Sequence, residues 1–142
     1  MTDVVTQYKE HLRAMFNGNT DQAQRILESM GDGPWEGTGR FNLAVFGLAA
    51  RKRFSDDKSH EAVMTFVRDA DRAWASAEES PNPLHVELLT RAALGETDLF
   101  DAVPSEARNV ILPVAAYAMI SDINLSSTEI DELLDQAEQA IG

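Results

Sequence analysis

The sequence predicts an all-α fold, a single-domain bundle of six to seven short helices packed in an orthogonal or solenoid-like arrangement. Three observations lead there. Apolar residues recur at three- and four-residue spacing along most of the chain. No run alternates apolar and polar residues as a half-buried strand would. Turn and cap residues separate the periodic segments. A chain of 142 residues is long enough to bury a core of its own and short enough for one domain, so residues 1–142 are read as one unit. No internal repeat of fixed period is found.

The elements follow in order. Val5, Tyr8, Leu12 and Met15 lie on one helical face, and Asn17-Gly18-Asn19 supplies a turn. Ala23, Ile26, Leu27 and Met30 mark a second helix that Asn19 or Thr20 can cap. A glycine-rich join, Gly31 to Gly39, precedes a third helix carrying Phe41, Ala44, Val45 and Leu48. This helix is apolar around much of its circumference and therefore belongs at the centre of the bundle. It ends in Arg51-Lys52-Arg53, cations that suit the negative end of a helix dipole. A long fourth helix starts near Ser59 and runs through Val63, Phe66, Val67, Ala70 and Trp74 to Ala77. Ser80-Pro81-Asn82-Pro83 breaks it, with Asn82 and Pro83 as N-cap and first-turn pair of a fifth helix that stops at Gly95. Leu99 to Val103 reads as a single turn before Pro104. Ser105 to about Asp122 is helical in character, with a kink or break near Pro113, because proline removes a helix hydrogen bond and clashes with the preceding turn. In the last helix Ser126 and Glu129 make a capping box, Leu125 and Ile130 a hydrophobic staple, and Ile130, Leu133, Leu134, Ala137 and Ile141 one apolar stripe.

Composition excludes several function classes. The chain has no cysteine, and hence no disulfide, thiolate metal site or cysteine nucleophile. Its longest apolar runs, LAVFGLAA and VILPVAAYAMI, fall well short of the roughly 20 residues that a spanning helix needs, so no membrane insertion is expected. The opening MTDVVTQYKEHL is polar and acidic where a secretory signal is basic and then apolar, which makes a cytoplasmic location the expectation. The formal charge of −12 is unevenly spread. Residues 1–72 hold ten Lys and Arg against eleven Asp and Glu, whereas residues 73–142 hold two against thirteen. A surface of one sign repels nucleic acid and attracts basic partners, so no nucleic-acid partner is expected.

Motifs for chemistry are few. The glycine-rich join is not a dinucleotide fingerprint, because Glu36 and Asn42 stand where third glycines would be. It is not a P-loop either, because Arg40 is its only cation and no lysine follows its last glycine. The helix opening at Gly37-Thr38-Gly39-Arg40 leaves a weak anion site. Trp35, framed by glycines, is either a lid over the core or a partner anchor. His11, His60 and His85 are isolated, and the acid pairs Asp56-Asp57, Asp69/Asp71 and Glu129/Glu132 flank apolar stripes as solvated faces do, so no metal and no cofactor is assigned. No nucleophile-elbow motif is present, and no catalytic residue is assigned.

The last helix carries Glu129, Asp131, Glu132, Asp135 and Glu138 with no lysine or arginine, and Asp131 and Asp135 repel at i,i+4 spacing. Two readings of that face compete. One is a docking face for a basic protein partner, with Trp35 as an apolar anchor, as in an immunity protein, antitoxin, inhibitor or adaptor. The other is a solvated face with Arg51-Lys52-Arg53 nearby. The leading functional expectation is the first, an intracellular protein-binding domain. The alternative from another class is a small helical enzyme or ligand-binding protein with its pocket between helices near Pro113, and a third is self-association into a homodimer through an apolar helix face.

Overall fold

A computed structural model of the chain describes residues 4–31, 35–75 and 80–141. They form seven α-helices and one 3-10 helix, and no strand occurs among them: α1 (Val4–Phe16), α2 (Thr20–Ser29), α3 (Thr38–Arg53), α4 (His60–Trp74), α5 (Pro83–Ala93), the 3-10 helix Thr97–Ala102, α6 (Ser105–Asp122) and α7 (Ser127–Ile141). Asp32 and Gly33 of the glycine-rich join and Ala77, the expected end of α4, lie outside the described residues.

The starts of the helices are set locally. The Asn19 side chain accepts a hydrogen bond from the Gln22 amide, Ser59 from the Ala62 amide and Asn82 from the Leu84 amide. Each satisfies one of the amides that a helix start leaves without an internal partner. At α7 the reciprocal box is complete: the Glu129 amide donates to Ser126 Oγ at 3.2 Å and the Ser126 amide to Glu129 Oε1 at 3.0 Å.

Helix α3 is the centre. It packs most extensively on α6 and α7, and it also meets α5 and α1. Phe41, Val45, Phe46, Ala49 and Ala50 of α3 are all at most 1% exposed. From α6, Ile111, Leu112, Ala115, Ala116 and Met119 meet them, and from α7, Leu133, Leu134 and Ala137. Helices α1 and α2 pack on each other, and α4 stands on α5. Two buried polar groups are tied off within this frame. Tyr8 and Asn42 exchange hydrogen bonds of 2.9 and 3.1 Å, and the Thr90 hydroxyl donates to the Val86 carbonyl at 2.7 Å.

One expectation is corrected here. Helix α6 does not break near Pro113 but runs through it from Ser105 to Asp122. The proline removes the amide that would bond the Asn109 carbonyl. Burial of Ile111, Leu112, Ala115 and Ala116 on both sides of it nevertheless holds the helix in register against α3. Tertiary packing outweighs the local penalty, as it commonly does for propensity.

Candidate functional site

The acids of α7 divide into four groups. Asp135 and Glu138 face α1, where Lys9 reaches them at 2.5 and 3.1 Å. Asp131 receives Arg13 Nε of the same helix at 2.7 Å, and Arg13 also pairs with Glu10. Glu129 is held by its own cap. Among the described residues Glu132 alone of the five has neither an ion pair nor a cap hydrogen bond, and it is exposed. The docking residues named from sequence are therefore mostly engaged inside the chain, although Asp131, Asp135 and Glu138 remain about half exposed. Their counter-charges come from α1. Of the basic run nearer in sequence, Arg53 instead bonds Asp122 at 3.0 Å and lies over Phe54.

The electrostatics of this clasp are consistent. Burial of Lys9 opposes its charge, but the hydrogen bonds it donates to Asp135 and Glu138 and their negative charge outweigh that, and the lysine pKa lies above its ordinary value. The same hydrogen bond and charge hold the Asp135 carboxyl below its ordinary value. The Ser126 amide does the same for Glu129.

Trp35 packs against the core, with its ring centroid 6.3 Å from that of Tyr8. Its Nε1 is buried without a hydrogen-bond partner among the described residues. The indole thus sits as a half-buried cover over the α1–α3 junction. The histidines do not assemble: His11 bonds the Ala23 carbonyl at 2.7 Å and ties α1 to α2, and no group of three metal-ligating side chains occurs among the described residues.

The feature that sequence reasoning missed is a groove of about 560 Å³ between α3, α5, the 3-10 helix and the C-terminal half of α7. Its volume falls within the usual range for binding sites. Leu43, Leu48 and Phe100 form its walls, and Ala44, Gly47 and Ala140 leave space between them. Leu43 is 40% exposed, high for a leucine on the central helix. The lining holds three polar side chains, Arg51, Thr97 and Gln136, and no carboxylate or histidine. Arg51 is exposed and forms no ion pair among the described residues.

Gly47 is the telling residue. It lies in the interior of α3, where glycine costs about 0.5–1 kcal/mol relative to alanine. A Cβ built on it meets no atom within 4 Å. Among the described residues no neighbour outside its own helix crowds that position. By contrast Gly37 has φ +88°, and a Cβ there would lie 3.0 Å from Val5 Cγ2, so glycine at 37 is explained by the fold itself. The available signal for the groove was the glycine within LAVFGLAA, a residue of poor helix propensity inside one of the longest apolar runs of the sequence.

A second, smaller cavity of about 270 Å³ lies between α4 and α6, lined by Phe66, Trp74 and Tyr117 with Asp69 and Asp122. Asp122 is already paired with Arg53. No helix of the described residues is long and apolar enough to cross a membrane. No protein family matches the chain, and none of the curated proteins or solved structures compared with it does either.

Proposed function

We propose that the chain is an intracellular protein-binding domain whose acceptor is the groove between α3, α5, the 3-10 helix and α7, with the acidic second half steering a basic partner toward it. The observation that carries this reading is Gly47, a helix-interior glycine over open space in an apolar groove. It keeps the α3 backbone accessible at a cost to the isolated helix, which is the signature of a surface shaped for something outside the chain. Apolar anchoring supplies affinity, and the charge of −12 speeds encounter with a basic surface without adding much to affinity.

The sequence places docking on Glu129, Asp131, Glu132, Asp135 and Glu138, with Trp35 as anchor. Four of those acids, Glu129, Asp131, Asp135 and Glu138, support the proposal less directly, because α1 and the helix cap hold them, whereas Glu132 lies one turn before the groove residue Gln136 on the same side of α7. The test is a photoreactive residue at position 43, in the groove, compared with one at position 25 on exposed α2, in cells that make the protein natively. A discrete protein adduct from 43, absent from 25 and removed by Gly47→Trp, is the expected result. Adducts of equal yield from both positions, or none from 43, would reject the groove as the acceptor.

A further inference from the structure

We infer that the occupant of the groove is an amphipathic α-helix of a partner protein, with an apolar stripe at i, i+3/i+4 and i+7 flanked on both sides by lysine or arginine. This rests on the protein-binding reading above and names the partner's chemistry.

Four observations lead to it. First, a peptide bound here must satisfy its own backbone hydrogen bonds. No strand edge exists among the described residues, the α3 backbone is bonded internally, and the lining offers only three polar side chains. An extended segment would bury unpaired amides and carbonyls, whereas a helix arrives with its own bonds made. Second, the lengths match. The groove side of α3 from Leu43 to Arg51 spans about 12 Å at 1.5 Å per residue, and anchors at i and i+7 span about 10.5 Å. Third, Ala44 and Gly47 on α3, facing Ala140 on α7, admit a close helix–helix approach, near the short end of the roughly 8–10 Å range of interaxial distances.

The fourth is charge. On the 3-10 helix Thr97 and Phe100 line the groove, and Asp98 and Asp101 each follow one of them in sequence, on the next face of the helix. Asp98 is exposed, and Asp101 meets Arg108 only at 3.9 Å with its side chain 93% exposed. Glu132 stands on the α7 side. Exposed acids therefore stand beside the lining on the 3-10 helix and on α7, with Arg108 over the Phe100 ring on the first side, and basic flanks complement those acids. Arg51 sits among the lining residues toward the end of α3, where it meets the carbonyls at the C-terminal end of the incoming helix. A second copy of this chain brings another −12 and is repelled, and so is an anionic amphiphile.

The test uses synthetic peptides of about five helical turns. One carries leucine at the stated spacing with lysine flanks, a second has each lysine replaced by glutamate, and a third has the composition of the first in scrambled order. Binding to the full chain is followed by fluorescence anisotropy at low and physiological ionic strength. The lysine helix is expected to bind at least about tenfold tighter than either control. Gly47→Trp and Ala140→Trp, which fill the groove from opposite walls, should each lower that affinity about tenfold with the unfolding temperature preserved. Asp98→Lys with Asp101→Lys should remove the preference for lysine over glutamate and keep the preference for the ordered leucines. Equal binding of the scrambled peptide, or unchanged binding by both tryptophan variants, overturns the inference. So do dodecanoate saturating the groove while no peptide binds, and a dimer in sedimentation that Gly47→Trp dissociates. If the groove cross-link to a protein persists while the lysine helix shows no preference, only the helical occupant is lost. If both fail, the protein-binding reading falls with it.

Discussion

Alanine at position 47 should make the protein more stable, and alanine at position 37 less. In the interior of α3 glycine is about 0.5–1 kcal/mol less favourable than alanine, and no steric contact offsets the gain because a Cβ at 47 has no neighbour within 4 Å. With 142 residues and about 2.1 cal/mol/K of unfolding entropy per residue, the whole chain unfolds with about 0.3 kcal/mol/K, so Gly47→Ala should raise the unfolding temperature by about 2–3 °C. Gly37 has φ +88° and a Cβ position 3.0 Å from Val5 Cγ2. Left-handed backbone alone costs a non-glycine residue about 1–2 kcal/mol, so Gly37→Ala should lower the unfolding temperature by about 3–7 °C. Differential scanning calorimetry of the two variants beside the native chain reads both signs in one series. A fall in unfolding temperature for Gly47→Ala would mean that the chain already covers the α3 backbone at that point, and the groove and everything argued from it would be refuted.

Two further outcomes are expected. Ser126→Ala removes one half of the capping box and should destabilise the fold by about 1 kcal/mol, read as a lower urea midpoint at unchanged slope. Asp135 has a folded pKa below its unfolded one, so its contribution is complete above the ordinary aspartate value near pH 4 and is lost as pH falls through the lowered folded value. The urea midpoints of Asp135→Asn and the native protein should therefore differ most at neutral pH and converge in strong acid, and a gap that is constant with pH would contradict the pairing with Lys9.

The helices and their ends were legible because their causes are local. The Asn82 cap and the Ser126/Glu129 box need only neighbours in sequence and form as expected, Asn19 is the cap of the two residues offered for α2, and the helix read to start near Ser59 is capped by that serine. The central place of α3 was legible from its all-round apolarity. Pro113 misled for the complementary reason. Its local penalty is visible in sequence, while the α3 contacts that override it are not. The acids of α7 were visible as a group, but Lys9, the partner of two of them, lies 126 and 129 residues away, beyond any rule of spacing. The groove joins positions from 43 to 140. Its one local trace was a glycine where a helix prefers almost anything else.

The bond between Lys9 and its two acids also bears on how the chain is made. During synthesis α1 emerges first and α7 last, so a lysine destined for burial travels through nearly the whole of translation without its counter-charges. Until Asp135 and Glu138 are present, burial of its ammonium carries a desolvation cost that no counter-charge offsets. The long loop closure that joins the first helix to the last belongs late in folding. A chain cut short before Asp135 leaves Lys9 without either of the carboxylates that hold it in the fold.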